Sequence, residues 1–117
     1  MNLQILTKSN LHTHTTFADG KHTAEEVVLS AIDAGMDVLG FSEHSFHSHP
    51  TVFGMKSPER EEEYRQEIER LKVVYADRIK ILCGIEQDSQ SGVPNSVYDY
   101  VIGSVHYISL NGELCSV

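Results

Sequence analysis

Seven histidines stand out in this chain of 117 residues, and several of them close short apolar runs. The first run ends at His12-Thr13-His14, the second at Glu43-His44, the third at Glu86 and the fourth at His106. Imidazole nitrogens and carboxylate oxygens are ligands that Zn, Mn and Fe take in proteins. Metal-competent side chains at four equivalent positions favour a metal site over four unrelated polar residues.

The two histidines of the first run are a ready chelating pair. Side chains alternate along a strand, so His12 and His14 project from one face and both imidazoles can reach one ion. Asp19 lies on the turn before the next element and could fold back to the same edge, although Asp19-Gly20 is also an ordinary turn signal. Three loop histidines are expected at the rim of the site, namely His22, His47 and His49.

The number of candidate ligands bears on the number of ions. Six candidates exceed the three or four protein ligands of a single zinc, which favours two or more ions that share a carboxylate. Two divalent ions close together are a standard device for hydrolysing phosphate esters. Zn, Mn and Fe all remain open. The candidate ligands are His12, His14, Asp19, His44, Glu86 and His106.

Four apolar runs of strand length must position these side chains. They cover residues 9–14, 37–44, 79–86 and 98–106, and the second is typical of a buried parallel strand. The C-terminal ends of parallel strands lie together at one edge of a sheet, where active sites are built from several strands. The candidate ligands are therefore predicted to converge at that edge.

Two helices are predicted between the strands. Thr23 and Glu26 form a capping-box pair at the start of the first helix, and Gly35 ends it in a left-handed conformation. Ser57-Pro58 starts the second helix, whose charged run 59–70 is interpreted as a solvated face without a binding role. Its predicted buried stripe is Tyr64, Ile68, Leu71 and Tyr75.

The order of these elements predicts the fold class. A strand, a helix, a strand, a helix and two further strands give an α/β fold with mainly parallel strands. Residues 87–97, between the last two strands, barely reach the length of a parallel crossover and are predicted to be irregular.

The composition excludes several classes of partner. Nine basic and 17 acidic residues give a formal net charge of −8, whereas nucleic acids and anionic membranes select a basic face. No run approaches the ~18 apolar residues of a membrane span, and residues 1–10 lack the pattern of a signal peptide. Cys83 and Cys115 form no disulfide framework or zinc knuckle. We expect a cytoplasmic protein that binds neither nucleic acid nor membrane.

Five ordered motifs resemble those of the polymerase and histidinol phosphatase (PHP) superfamily. They are His12-x-His14, Asp19-Gly20, Ser42-Glu43-His44, Gly84-x-Glu86 and Gly103-Ser104-x-His106. The segments LHTHTTFADGKHT and YDYVIGSVHYI are similar to its histidinol-phosphatase branch. The resemblance covers residues 10–108 and implies the N-terminal portion of a distorted β/α barrel of seven strands, with a trinuclear metal site at the strand C-termini.

The resemblance also implies a role for each candidate ligand. Glu86 and His106 are the catalytic candidates. Glu43 stands where many members have Asp, and it is expected to orient a ligand from the outer shell. The implied groups are His12 and His14 on one ion, Glu86 as the bridge to a second ion held by His106, and Asp19 with His44 on a third.

Two functions are open at this point. The first is hydrolysis of a small phosphomonoester by a metal-activated hydroxide, with histidinol phosphate of histidine biosynthesis implied by the resemblance. The second is a metal-binding PHP fragment without turnover, which would form a homo-oligomer to cover its exposed sheet edges. The polymerase-associated role of the superfamily is disfavoured by the charge of −8.

The length predicts a single, truncated PHP domain over residues 1–117. Barrels of β/α type run to about 250 residues, and only four strands fit in this chain. The resemblance implies that the family pattern continues beyond residue 117, with another ligand histidine, a phosphate-binding arginine and a late Asp-x-His.

Overall fold

A four-stranded parallel sheet with two helices forms the body of the protein. The computed structural model describes residues 7–48, 53–89, 91 and 94–116. The sheet order is β1-β2-β3-β4, and β5 pairs with β6 as an antiparallel hairpin. The predicted α/β class with mainly parallel strands is confirmed. The elements are β1 (Ser9–Asn10), α1 (Ala24–Asp33), β2 (Val38–His44), α2 (Pro58–Val74), β3 (Lys80–Asp88), β4 (Tyr100–Ser104), β5 (Tyr107–Leu110) and β6 (Glu113–Ser116).

The hydrophobic core lies where the two helices pack on the sheet. The predicted stripe of α2 is confirmed at Tyr64, Ile68 and Leu71, which are fully buried, whereas Tyr75 is only partly buried. Burying one such side chain contributes roughly 1.5–3 kcal/mol, so this stripe fixes α2 against the sheet. Core residues from the other elements include Val28, Ala31, Leu39, Phe41, Ile81 and Ile85.

The predicted helix boundaries are confirmed by their caps. The Thr23 hydroxyl accepts the Glu26 N–H at 3.2 Å, which is the N-cap bond of the capping box, and it also donates to the Glu26 carboxylate at 3.1 Å. Gly35 follows α1 with φ 75°. At α2, the Ser57 hydroxyl accepts the Arg60 N–H at 3.0 Å. Neither helix of the described residues has the length and apolar character that crossing a membrane requires.

One acidic residue contradicts the interpretation of run 59–70 as a solvated face. Glu61 is buried, and its carboxylate accepts the Phe46 N–H at 2.8 Å and the Tyr98 hydroxyl at 2.5 Å. These donors come from a loop and from the approach to β4. Because they lie far from α2 in the sequence, the charge pattern of the helix could not reveal them.

The first strand is shorter than predicted. β1 ends at Asn10, so the strand prediction for residues 11–14 is wrong. The Asn10 side chain accepts the His12 N–H at 3.0 Å, and such side chain-to-backbone bonds compete with a regular ladder. Thr13 then rejoins β2, because its carbonyl accepts the Ser42 N–H at 3.0 Å and its hydroxyl donates to Gly40 O at 2.8 Å. These bonds, rather than the alternation of side chains along a strand, hold His12 and His14 beside the end of β2.

Two other strand ends differ from the prediction. β3 continues past Glu86 to Asp88, and β4 ends at Ser104, before His106. Glu86 is therefore inside a strand and His106 lies beyond one. Gly92 and Val93, in the stretch predicted to be irregular, lie outside the described residues.

The hairpin of β5 and β6 was missed. Its two-residue turn is formed by Asn111 and Gly112, with φ of 51° and 81°. Two successive left-handed residues are what a type I′ turn needs, and Asn-Gly is its strongest sequence signal. That dipeptide could have identified the hairpin.

Tyr100 of β4 lies across the neighbouring strands. Its hydroxyl lies 2.6 Å from Leu11 O and 3.0 Å from Phe41 O and shares its one proton between these two carbonyl oxygens. A Cβ atom at Gly84 of β3 would lie 2.6 Å from Tyr100 Cε2, so the ring occupies space that only glycine leaves open. The ring thus ties the segment after β1 to the sheet.

Candidate metal centre

A buried glutamate lies at the centre of the site. Glu86 is 4% exposed and is surrounded by four imidazoles. His44 Nδ1 lies 2.6 Å and His106 Nε2 lies 3.5 Å from Glu86 Oε2. His12 Nε2 contacts Glu86 Oε1, and His14 Nε2 lies 3.9 Å from that oxygen. The two oxygens of one carboxylate therefore face four potential metal ligands.

The candidate ligands form three overlapping groups of three. Within each group the nitrogen and oxygen atoms all lie within 4.8 Å of one another, which small side-chain movements would convert into ligation of one ion at ~2.0–2.2 Å. Glu86, His14 and His44 each belong to two groups. The structure thus brings together all six predicted ligands. The groups are His12, His14 and Glu86; His14, Asp19 and His44; and His44, Glu86 and His106.

Asp19 reaches the site from the turn before α1. Thr15 O accepts the Gly20 N–H at 2.8 Å, which folds the chain back on itself. A Cβ atom at Gly20 would lie 2.6 Å from the backbone of Thr15, so this close approach requires glycine. Asp19 Oδ2 consequently lies 3.5 Å from His44 Nε2. The turn signal and the candidate ligand are parts of one feature.

Glu43 lies behind His14. Its carboxylate is fully buried and accepts the Thr15 N–H at 2.8 Å and the Thr15 hydroxyl at 2.5 Å. Glu43 Oε1 also lies 3.5 Å from His14 Nδ1, and hydrogen bonding to this carboxylate raises the pKa of His14 above its ordinary value. A carboxylate on the far nitrogen of an imidazole fixes the direction in which the near nitrogen points. This geometry supports the expected orienting role of Glu43.

His44 packs between two other imidazoles. Its ring stacks on His14 with centroids 4.3 Å apart and meets the ring of His106 edge-on at 5.0 Å. Burial lowers the pKa of His44 below its ordinary value. The neutral form is the one that binds metal, so this environment favours ligation.

The donor set fits divalent cations. Among the described residues, no well-aligned hydrogen bond reaches Glu86 Oε2, although nitrogens of His44 and His106 lie 2.6 and 3.5 Å away. A buried carboxylate oxygen without a donor is costly, and a cation held between it and the imidazoles would remove that cost. Mixed nitrogen and oxygen ligands of this kind suit Zn, Mn and Fe.

Comparison with known families assigns the chain to one of them. The chain matches the family model of the PHP domain over residues 10–115. It belongs to the PHP family. The PHP resemblance read from the five motifs is confirmed over nearly the whole chain.

Two curated histidinol-phosphatases are similar to this PHP chain. The histidinol-phosphatase of Lactococcus lactis subsp. lactis is 32% identical over 111 residues, which are 86% of this chain and 40% of the relative. A probable histidinol-phosphatase of Deinococcus radiodurans is 33% identical over 123 residues, covering 92% of this chain and 44% of the relative. The chain therefore spans less than half the length of these relatives.

A solved structure extends the similarity to the fold. The crystal structure of the Lactococcus lactis histidinol phosphate phosphatase, complexed with zinc, L-histidinol and phosphate, superposes with a TM-score of 0.71 at 28% identity. The match covers 91% of this chain and 42% of that structure. The parallel sheet described above is thus a portion of a PHP-type β/α barrel.

The three histidines predicted at the rim of the PHP site differ in environment. His22 is exposed, with Nδ1 3.4 Å from Glu26 Oε2, and belongs to none of the three groups. His47 lies beside the site, as predicted, in a cavity that His44, Glu86 and His106 also line, but it is buried. The cause is the loop after β2, which folds onto the end of β3 through a bond from Ser45 N–H to Glu86 O at 3.0 Å. His49 lies outside the described residues.

Sequence reasoning missed one buried acid of the PHP site. Asp88 is 7% exposed, and its Oδ2 accepts the His106 N–H at 2.5 Å. It follows Glu86 by two residues, which places both carboxylates on one face of β3. That spacing was the available signal, but it has meaning only if the strand continues beyond Glu86.

Proposed function

We propose that this PHP chain supplies the metal site of a phosphatase that hydrolyses a small phosphomonoester. The observation that carries the proposal is the set of three ligand groups that meet at the buried carboxylate of Glu86. Histidinol phosphate is the first substrate to consider, because the similar Lactococcus lactis enzyme was crystallised with L-histidinol and phosphate. The same enzyme contained zinc, which makes zinc the first metal to test.

The charge of the site supports a role for cations in substrate binding. Its carboxylates belong to Asp19, Glu43, Glu86 and Asp88, and three of these are buried. A phosphomonoester dianion would be repelled by this cluster unless positive charge offset it. When bound, two or three divalent ions supply that charge and lower the pKa of water towards ~7.

In this proposal, residues of the chain bind the metal ions and orient the side chains that ligate them. Glu86 is shared between two ligand groups and would be the carboxylate that holds two ions, and His106 would complete the group that also contains His44. Glu43 holds His14 from behind. We propose Glu86 and His106 as catalytic residues, because both would bind the ions at which the ester is hydrolysed.

Metal content and turnover test this function together. The purified chain should bind at least two zinc or manganese ions and should hydrolyse histidinol phosphate faster than 4-nitrophenyl phosphate. Removal of metal by a chelator should abolish hydrolysis, and zinc, manganese or iron should restore it. Glu86→Ala should be inactive, whereas Glu113→Gln, on the exposed hairpin, should match the wild type. Bound metal without turnover of either ester would contradict the proposed phosphatase activity but not the metal site.

A second candidate is a metal-binding PHP chain without turnover that assembles with another copy. It is favoured by the apolar side chains on and near β4, because Val97, Val101 and Val105 are 64%, 43% and 60% exposed. Exposed apolar strands invite pairing with another chain. Light scattering after size-exclusion chromatography should then give a dimer or larger species, whereas a monomer that hydrolyses phosphate esters would contradict this candidate.

We also propose that the protein acts in the cytoplasm. Cys83 and Cys115 are both free thiols, the state that a reducing compartment maintains. Histidine biosynthesis would provide the substrate there, if histidinol phosphate is the ester that the enzyme hydrolyses. Fractionation of cells that produce the tagged protein would test the location.

A further inference from the structure

We propose that Asp88 is a positioning residue that orients His106 towards Glu86 and thereby sets the affinity of the metal group that contains His106. The inference rests on the proposed metal-dependent function. It assigns a role to a buried side chain that belongs to none of the three ligand groups.

The two ring nitrogens of His106 face two carboxylates of the same strand. Nε2 lies 3.5 Å from Glu86 Oε2, on the side of the ring that faces the ligand groups. Nδ1 lies 3.5 Å from Asp88 Oδ2, on the opposite side. Glu86 and Asp88 project from one face of β3, so the strand presents both carboxylates to His106.

His106 needs such an anchor because the sheet does not hold it. β4 ends at Ser104, and Asp88 is the register partner of that last residue. Two residues later, the backbone N–H of His106 donates to Asp88 Oδ2 at 2.5 Å instead of joining the ladder. Asp88 thus binds the backbone N–H of His106, a residue between β4 and the β5–β6 hairpin, and lies 3.5 Å from its ring.

The acceptors around Nδ1 select one tautomer of the ring. Asp88 Oδ2 and the Ser104 hydroxyl, the latter at 3.2 Å, both lie beside Nδ1. A proton on Nδ1 satisfies the carboxylate and leaves the lone pair of Nε2 directed at the metal groups. Carboxylates that fix metal-ligating imidazoles in this way typically change metal affinity 10–100-fold.

The burial of Asp88 is consistent with a specific role. A carboxylate that is 7% exposed has lost most of its hydration and must regain it from donors. Its other oxygen, Oδ1, lies 3.7 Å from Nε2 of His47, in the loop after β2. Asp88 therefore links the end of β3, that loop and His106.

Two substitutions separate the charge of Asp88 from its hydrogen-bonding shape. Asp88→Asn keeps an oxygen that can accept the His106 N–H but removes the charge, and Asp88→Ala removes both. Asp77→Asn, on the exposed turn after α2, is the matched control. Circular dichroism melting verifies folding, and if the alanine variant does not fold, the asparagine variant alone decides.

The first measurement uses metal-free protein. Nitrogen-15 NMR at about pH 8 reports the tautomer of each neutral histidine, and the His106 signal is assigned by its absence in His106→Gln. The wild type should show the Nδ1–H tautomer, whereas Asp88→Asn should show a mixture. The His106 amide should exchange at least tenfold faster in Asp88→Ala. These NMR readouts do not require zinc. If the chain binds no zinc, the proposed function is contradicted, but NMR still tests whether Asp88 orients His106.

The second measurement is a zinc titration against a chromophoric chelator. Asp88→Asn should lower the affinity for one zinc ion 10–100-fold and leave the affinities for the others within about twofold of wild type. The reason is that only one ligand group contains His106. A merely structural role would lower the melting temperature and weaken all ions together. The proposal is overturned if both variants keep the wild-type His106 signals, or if every zinc affinity stays within twofold of wild type in a chain that binds zinc.

Discussion

His44 of β2 and Glu86 of β3 are register partners in the parallel sheet, and their side chains meet at 2.6 Å between Nδ1 and Oε2. Two adjacent strands therefore hold this half of the site. The other ligands come from outside the ladder and depend on local bonds. Thr13 fixes the segment of His12 and His14, and the turn at Gly20 returns Asp19 to the site.

Replacing Glu86 should remove more than one metal ion. Glu86 belongs to two of the three ligand groups, and Glu86→Gln keeps its shape while removing the charge that two ions would share. Metal per chain, measured by mass spectrometry after dialysis, should fall by more than one ion relative to the wild type. Glu113→Gln serves as the control on the exposed hairpin. Loss of a single ion would show that Glu86 does not bridge.

Acidification should release metal in an order set by the imidazole pKa values. Glu43 raises the pKa of His14 above 6.5, so protons compete with metal for His14 at a higher pH than for an ordinary histidine. Burial lowers the pKa of His44, which stays neutral to a lower pH. The ion that His14 holds should therefore be released first as the pH falls from about 7 to about 5, and an ion held through His44 should be released last.

Equilibrium dialysis against buffered zinc between pH 8 and 5 checks this order. Glu43→Gln removes the charge that favours protonated His14, so the pKa of His14 in the metal-free protein, followed by NMR, should fall. Zinc binding that is unchanged down to pH 5 would contradict a site built from histidines.

The six candidate ligands could be predicted because local sequence carries their signal. His44 closes a continuous apolar run and Glu86 lies near the end of another, which is unusual for side chains that would otherwise stay in water. The reasoning from strand alternation at His12 and His14 was wrong in detail, since the Asn10 side chain interrupts the ladder there. Both histidines still reach Glu86, because Thr13 between them is bonded to β2.

Residues whose roles depend on distant partners could not be predicted. Glu61 is buried by donors from Phe46 and Tyr98, and Asp88 by the amide of His106. Neither partnership leaves a periodic pattern in the sequence, because the partners are separated by 15 to 37 residues. The fold class needed only apolar runs and helix caps, which are local signals.

Gly84→Ala should destabilise the protein through overpacking. The new Cβ would lie 2.6 Å from Cε2 of Tyr100, whose hydroxyl is held between the carbonyl oxygens of Leu11 and Phe41. Forcing extra volume into such a position costs about 1–3 kcal/mol. Gly103→Ala is the matched control, since a Cβ there meets no atom within 4 Å. Urea unfolding followed by circular dichroism should separate the two variants, and equal stabilities would contradict the described packing of Tyr100.

Glu61→Ala should destabilise the protein although it lies in the charged run of α2. The substitution leaves the Phe46 N–H and the Tyr98 hydroxyl without their acceptor, and losing buried partners of this kind costs about 1–3 kcal/mol. Glu62→Ala, at the exposed neighbouring position, removes the same chemical group and should stay within about 0.5 kcal/mol of wild type. Urea unfolding measures both free energies. Hydrogen exchange of the Phe46 amide provides the local readout, since it should accelerate in Glu61→Ala only. Equal effects of the two substitutions would mean that Glu61 behaves as a solvated helix residue after all.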